Sequence, residues 1–402
     1  HRILYYETQR GCPYRCQYCL SSIEQGVRFL SMERVKKDLQ FFLENHVPQV
    51  KFVDRTFNAN EKHANEIWNY LIEHDNGVTN FHMEITADIL TEKSLFLLQK
   101  ARKGLFQFEI GVQSTNADTI KAIQRNTHFE TLKIIVNKIK SYGNIHQHLD
   151  LIAGLPYEDY ASFRRSFNDV YALEPEQFQL GFLKLLKGSG LRRDAEKYGI
   201  VYRKDAVYEV LYTKELSYFE ICRLKQIEDM VETYYNSGKA RYGIAYTIKF
   251  FPTPFDFYEA LGEYWLSQNY HAVQHSKMEL YSIFYAFVSQ AENTAAYKEV
   301  IKECLKLDIF INDNVKTLPD WLQENAEDKQ KRWEYFNNAE LIQQKVPHLA
   351  EQTPKQLSKS CYIGFFQYDV LSPQKEKKQT VLLFDYAKKD VVMQKYLCYR
   401  LE

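Results

Sequence analysis

The chain has 402 residues, 45% of them hydrophobic, and Lys plus Arg equals Asp plus Glu at 52 each. At roughly 100 to 200 residues per domain this length suggests about two domains. Charge neutrality gives no overall push toward nucleic acid or an anionic membrane. No run of about 18 apolar residues and no charged-then-apolar leader pattern is present, so the expectation is a soluble, cytoplasmic protein with no membrane partner.

From residue 1 to about Leu183, short apolar runs alternate with amphipathic stretches, the pattern of repeated β-α units on a parallel sheet. It predicts strands at Ile3 to Thr8, Gln49 to Val53, Phe81 to Ile85, Leu105 to Val112, His146 to Ile152 and Gln177 to Leu183. Helices fall between them at about Ser31 to Asn45, Asn60 to Glu73, Thr91 to Arg102, Ala117 to Gln124, Phe129 to Ser141 and Tyr157 to Tyr171. Ser31, with Glu33 close behind, makes an N-cap and an acidic first turn. Six such strands match a partial (β/α)6 TIM-like barrel, an α/β fold whose functional residues gather at the C-terminal strand ends.

Past Gly190 the character changes. Residues 191–402 are aromatic and charged and read as a mostly helical domain, with helices near Pro254 to Asn269, Lys277 to Gln290 and 296–312. Residues 314–354 read as a polar helix-loop connection. The tail holds two strand-like runs, SCYIGFFQYDVL and QTVLLFDYAKK, expected as a small β hairpin closing over the barrel. Cys222, Cys304, Cys361 and Cys398 lack pair spacing and read as buried apolar thiols.

The loop after the first strand reads GCPYRCQYCL and sets Cys12, Cys16 and Cys19 in a C-x3-C-x2-C spacing. Seven cysteines in a chain with no secretory pattern fit metal binding better than a disulfide framework. Zinc wants four ligands, usually as two separated pairs. The next cysteine is Cys222, and the one H-x3-H spacing, His271 with His275, reads as two neighbours on a helix face. Three thiols in one tight loop suit a 4Fe-4S cluster with one iron left open. A zinc site completed by a distant ligand and a chance grouping of buried thiols are the alternatives.

GCPYRCQYC, preceded by the strand-like RILYYETQ, resembles the cluster-binding loop of the radical S-adenosylmethionine (radical SAM) superfamily. The resemblance implies a barrel core over residues 1–190 and a 4Fe-4S cluster whose open iron chelates the amino and carboxylate groups of S-adenosylmethionine. Reductive cleavage would then give a 5'-deoxyadenosyl radical that abstracts hydrogen from a substrate, with a reductant such as flavodoxin or ferredoxin. Tyr18 would sit on the adenine side.

The strand ends carry the other expected cofactor contacts. After strand two, Asp54, Thr56 and Asn58 stand where the family meets the methionine amino group, in a D-x-T-F-N variant seen in cobalamin-associated members. A helix N-cap at Asn58 or Asn60 is the alternative. Strand three places Glu84, Thr86 and Asp88 on one face, with Glu84 favoured, because a buried acid needs a partner or ligand. FEIGVQS resembles the family's E-x-G-x-[EQ]-S segment and selects Glu109, Gln113 and Ser114. Arg125 matches an arginine that meets the cofactor carboxylate, the alternative being a helix C-terminal charge. In DLIAGLPYED, Ile152 and Gly154 fall in register with a family segment, and Pro156 is expected to start the next helix. Leu183 and Leu185 would wall the adenine pocket, or are plain core.

D-x-T-F-N and the chain opening at His1 on the first core strand point to the cobalamin-dependent branch, with a cobalamin-binding domain upstream. That branch mainly transfers methyl groups to unactivated carbon, and some members rearrange rings. The competing readings are a methylthiotransferase or other tRNA modifier, and an iron-sulfur redox sensor. The substrate is not disclosed by the sequence.

Overall fold

A computed structural model describes residues 3–23, 26–314 and 317–402. His1 and two residues of the expected polar connection, Val315 and Lys316, lie outside the described residues. The chain divides into two compact units, one ending at Glu228 and the other running from Asp229 to Glu402.

The first unit is built on six parallel strands: β1 (Leu4–Tyr6), β2 (Gln49–Phe52), β3 (Asn80–Ile85), β4 (Phe106–Gln113), β5 (His146–Ala153) and β6 (Gln177–Phe182). They lie in sequence order with β1 and β6 at the two edges, each strand parallel to the next. This is the expected partial barrel. The connecting helices are α1 (Met32–Glu44), α2 (Glu61–Glu73), α3 (Glu92–Leu98), α4 (Ala117–Ala122), α5 (Phe129–Tyr142) and α6 (Tyr160–Tyr171).

Five of these six helices start where a side chain takes an orphan backbone N–H, α5 after His128 being the exception. Ser31 accepts from Arg34 N, Asn60 from His63 N, Thr91 from Ser94 N and Asp159 from Ser162 N. Helix α1 then buries Val35, Leu39 and Leu43, and α2 buries Ala64, Ile67, Trp68 and Leu71, the four-residue rhythm of an amphipathic helix. Trp68 packs between Phe57 and Phe108 at ring separations of 5.5 and 5.9 Å. Each such large apolar side chain contributes about 1.5 to 3 kcal/mol by leaving water.

One helix start differs from expectation. Pro156 does not open α6, which begins at Tyr160 on the Asp159 cap. Tyr157 takes a left-handed φ of 62°, and Glu158 turns inward to accept from Ser114 at 2.6 Å and Ser166 at 2.9 Å, so the chain makes a turn before it can wind.

The second unit is mostly helical, with helices that include Arg241–Thr247, Pro254–Ser267, Lys277–Gln290, Lys298–Asn312 and Ala326–Asn337. His271 and His275 do not share a helix face. Asn269, in the left-handed region, ends the helix Pro254–Ser267; His271 sits in a short turn and His275 precedes the Ser276 capping box. The expected hairpin is present as β7 (Cys361–Phe366) and β8 (Thr380–Lys389), paired antiparallel. A third strand, β9 (Tyr396–Arg400), pairs with β8 and completes a three-stranded sheet. Its inner face packs on Phe336, Ile342 and Leu357.

Candidate cluster and cofactor site

The cysteine loop leaves β1 through Gly11, whose φ of 99° and close approach to the Gly26 carbonyl exclude any side chain. Cys12, Cys16 and Cys19 then line one cavity of about 210 Å³ at the C-terminal ends of the strands. Tyr14, Tyr18, Arg55, Thr56, Glu84, Thr86, Glu109, Gln113, Arg125 and Asp150 share its wall. Of the residues expected from sequence, the cavity thus gathers the three cysteines, Tyr18, Thr56, Glu84, Glu109, Gln113 and Arg125.

The loop is held from several sides. The Gln17 N–H donates to Ile123 O at 2.9 Å, just past α4, and Leu191 N donates to Gln17 O at 2.8 Å. Cys19 N donates to Cys16 O at 3.0 Å. Cys12 Sγ lies 3.4 Å from Thr56 Oγ1 at the end of β2. Asp54 stands behind the loop rather than in the cavity. Fully buried, it accepts from Thr8 N at 2.8 Å, from Gln9 N at 3.2 Å and from the Thr8 hydroxyl. Burial pushes its carboxyl up to about 6 despite those three donors.

Five further expected residues lie outside the cavity wall. Asn58 clips β3, donating to Thr86 O at 2.8 Å and accepting from Thr86 N at 2.9 Å, while Asn60 is the N-cap. Ser114 donates to the buried Glu158. Gly154 has φ 87°, and a Cβ there would come within 2.8 Å of Val210. Leu183 is buried core, with its N–H on Ala153 O at 2.9 Å. Ile152 is half-buried on the strand face shared by His148 and Asp150.

At the end of β4 the register slips between Gly111 and Gln113 against β5, and Gln113 adopts a left-handed φ of 72°. Such a bulge re-aims a side chain next to a site. Gln113 Oε1 is buried without a hydrogen-bond partner among the described residues, a group waiting for a donor.

Below the cysteines the wall is charged. Glu109 accepts from His82 Nε2 at 3.0 Å and from Lys51 Nζ at 3.1 Å, and the His82 bond first of all holds its carboxyl down at about 2. Glu84 goes the other way, to about 7, through burial and then the neighbouring Glu109 charge. His148 Nε2 stands 3.0 Å from Asp150 Oδ1. Sequence reasoning did not select Arg55, Lys51, His82, His148 or Asp150. The alternation H-x-D-x-I along β5 carried the signal for the last two.

The donor set fits an iron-sulfur cluster. All seven cysteines are unpaired thiols, and three of them, from one tight loop, face a single polar cavity. Among the described residues that wall holds no fourth cysteine and no histidine to close a tetrahedral zinc site. The sequence of residues 6–170 matches the radical SAM superfamily. These residues are a radical SAM domain.

Downstream of the radical SAM domain, residues 196–384 match a family described as a protein of unknown function, DUF4080. Among curated relatives, the 2-(S-pantetheinyl)-carbapenam-3-carboxylate methyltransferase of Streptantibioticus cattleyicolor is 28% identical over 167 residues, covering 40% of this chain and 24% of that protein. The cobalamin-dependent radical SAM methyltransferase TokK of Streptomyces tokunonensis is 26% identical over 206 residues, covering 48% and 30%. The match therefore spans about a quarter to a third of the length of these relatives. A solved structure of the radical SAM methyltransferase TsrM from Kitasatospora setae, with tryptophan and a SAM analogue bound, aligns at TM-score 0.45 and 16% identity over 51% of this chain and 42% of that one.

Proposed function

We propose that this protein is a cobalamin-dependent radical SAM enzyme that transfers a methyl group to, or rearranges, a carbon-based substrate. The observation that carries the reading is the convergence of Cys12, Cys16 and Cys19 on one polar cavity at the strand ends. The resemblance to TokK, a cobalamin-dependent methyltransferase, supports the branch. A 4Fe-4S cluster bound there with S-adenosylmethionine supplies, on one-electron reduction, a radical able to break a substrate C–H bond.

The chain's own residues hold and orient. The three thiolates bind the cluster. Thr56 and Gln113, at the ends of β2 and β4, present hydroxyl and amide groups to the polar parts of the cofactor. Glu109, kept ionised by His82 and Lys51, fixes a negative charge in the cavity, and Glu84 beside it can hold or release a proton near neutrality. An acidic one-electron carrier of the flavodoxin or ferredoxin class is the proposed reductant. Among the described residues no helix is long and apolar enough to cross a membrane.

Anaerobic reconstitution with iron and sulfide, followed by S-adenosylmethionine and dithionite, tests the reading. One cluster per chain and formation of 5'-deoxyadenosine or a methylated product are expected. A fully loaded cluster that leaves S-adenosylmethionine intact would instead mark a redox sensor. Binding of hydroxocobalamin by the full-length protein, followed by its visible spectrum, tests the branch; absence of a bound corrinoid removes it.

A further inference from the structure

Arg125 reaches the cysteine loop. Its Nη1 donates to Tyr18 Oη at 3.0 Å and lies 3.9 Å from Cys16 Sγ, while Nη2 donates to the Gly111 carbonyl. Cys16 is 7% exposed, so little solvent screens the pair. The fork is fixed at three points on two elements, the loop and β4, and residue 111 is glycine where the guanidinium lies. A Cβ there would come within 3.3 Å of Nη2 and would overlap the Gln113 amide. The neighbouring Ile123 carbonyl and the Gln124 side chain both bind Gln17, so the segment carrying Arg125 is tied to the loop independently of the guanidinium.

From this geometry we infer that Arg125 is a permanent cation for the cluster and raises its reduction potential. The inference rests on the three-cysteine reading of the loop and adds to it a tuning residue. Reduction adds one electron, delivered by an external low-potential one-electron donor, and makes the cluster more negative. A positive charge beside a ligating sulfur stabilises the reduced form more than the oxidised form. Cluster potentials follow net charge, hydrogen bonds to sulfur and solvent exposure, and Arg125 acts on the first two. The role is present before any cofactor carboxylate arrives, which separates it from carboxylate binding. Arg125 is in these terms a positioning and tuning residue: its fork holds Tyr18 and β4 in register while its charge faces Cys16.

The test uses the full chain, loaded anaerobically, as wild type, Arg125→Gln and Arg125→Lys. Iron content is measured first. The midpoint potential of the cluster is then read by electron paramagnetic resonance during titration with dithionite, without and with S-adenosylmethionine. The expected result is retained iron in both variants and, without S-adenosylmethionine, a more negative potential in Arg125→Gln, with Arg125→Lys in between because an ammonium cannot span Gly111, Tyr18 and Cys16 together. If Arg125→Gln does not load, Arg125→Lys alone decides: a potential below wild type supports the role, and an unchanged one overturns it. Equal potentials in all three proteins, with only the response to S-adenosylmethionine lost, would overturn it and leave Arg125 as a carboxylate ligand. A wild-type chain that takes up no cluster would sink the three-cysteine reading and this inference with it.

Discussion

The two compact units bury polar groups for different ends. In the second unit the buried ionisable side chains are consumed by the fold. Asp308, 1% exposed, caps the helix Arg241–Thr247 by accepting from Tyr242 N at 3.0 Å and Gly243 N at 2.8 Å. Arg332 closes on Glu324 at 2.7 Å and on the Tyr362 hydroxyl at 2.8 Å, and Asp385 accepts from His348 at 2.9 Å. In the first unit, by contrast, Glu84, Gln113 and Asp150 face a cavity together with three thiols, and Gln113 Oε1 has no partner among the described residues. Polar burial alone therefore does not mark a site. Polar groups aimed at shared empty space, with capacity left over, do.

The sharpest way to break this comparison is a pair of cysteine variants. Cys16→Ala should abolish iron loading, whereas Cys304→Ala, in a fully buried position of the second unit, should leave iron per chain unchanged. Equal loss in both would erase the distinction.

Next in size is Asp308→Ala, which leaves one buried and one part-buried N–H donor without an acceptor and should cost about 2 to 4 kcal/mol in denaturant unfolding, with cluster loading intact at low denaturant. A cost well under 1 kcal/mol would show that the cap is not structural.

Gly154→Ala forces a left-handed φ on a side chain that also meets Val210, and about 1 to 2 kcal/mol of destabilisation is expected. Unchanged stability would mean that the turn after β5 relaxes freely.

The last effect concerns pH. Glu84 is raised from 4.5 to about 7, so the folded state binds its proton more tightly than the unfolded chain does. Its contribution to stability is fully present below about 4.5 and is lost as pH rises through about 7. Glu84→Gln should flatten that part of the stability profile, measured by urea unfolding at a series of pH values. A variant with the wild-type slope would place the proton elsewhere.

Much of the first unit was legible because its signals are local. Alternating apolar runs fix the six strands, Ser31 and Asn60 announce helix starts, and three cysteines in eight residues need no tertiary knowledge. What stayed hidden depends on distant partners. Asp54 and Asn58 sit in a motif that suggests ligand contact, yet their hydrogen bonds go to Thr8, Gln9 and Thr86, whose proximity is set by the sheet. Lys51, His82 and His148 look like ordinary strand residues until parallel pairing brings β2 to β5 side by side. Pro156 misled because a helix-starting residue was outweighed by Glu158 turning toward Ser114 and Ser166. The strand β9 escaped because it is short and pairs with a run already assigned to a hairpin.

The grip on Gln17 has a consequence for maturation. Its backbone is held by Ile123 on one side and Leu191 on the other, so the turn that carries Cys16 and Cys19 has protein hydrogen bonds of its own to fix its shape. If those bonds fix the turn when the chain folds, the metal-free protein is expected to act as a ready receptor, unlike a zinc finger that folds only around its ion. A chelator should strip the cluster while leaving the thermal unfolding of the barrel nearly intact, and the emptied chain should take up a new cluster without refolding.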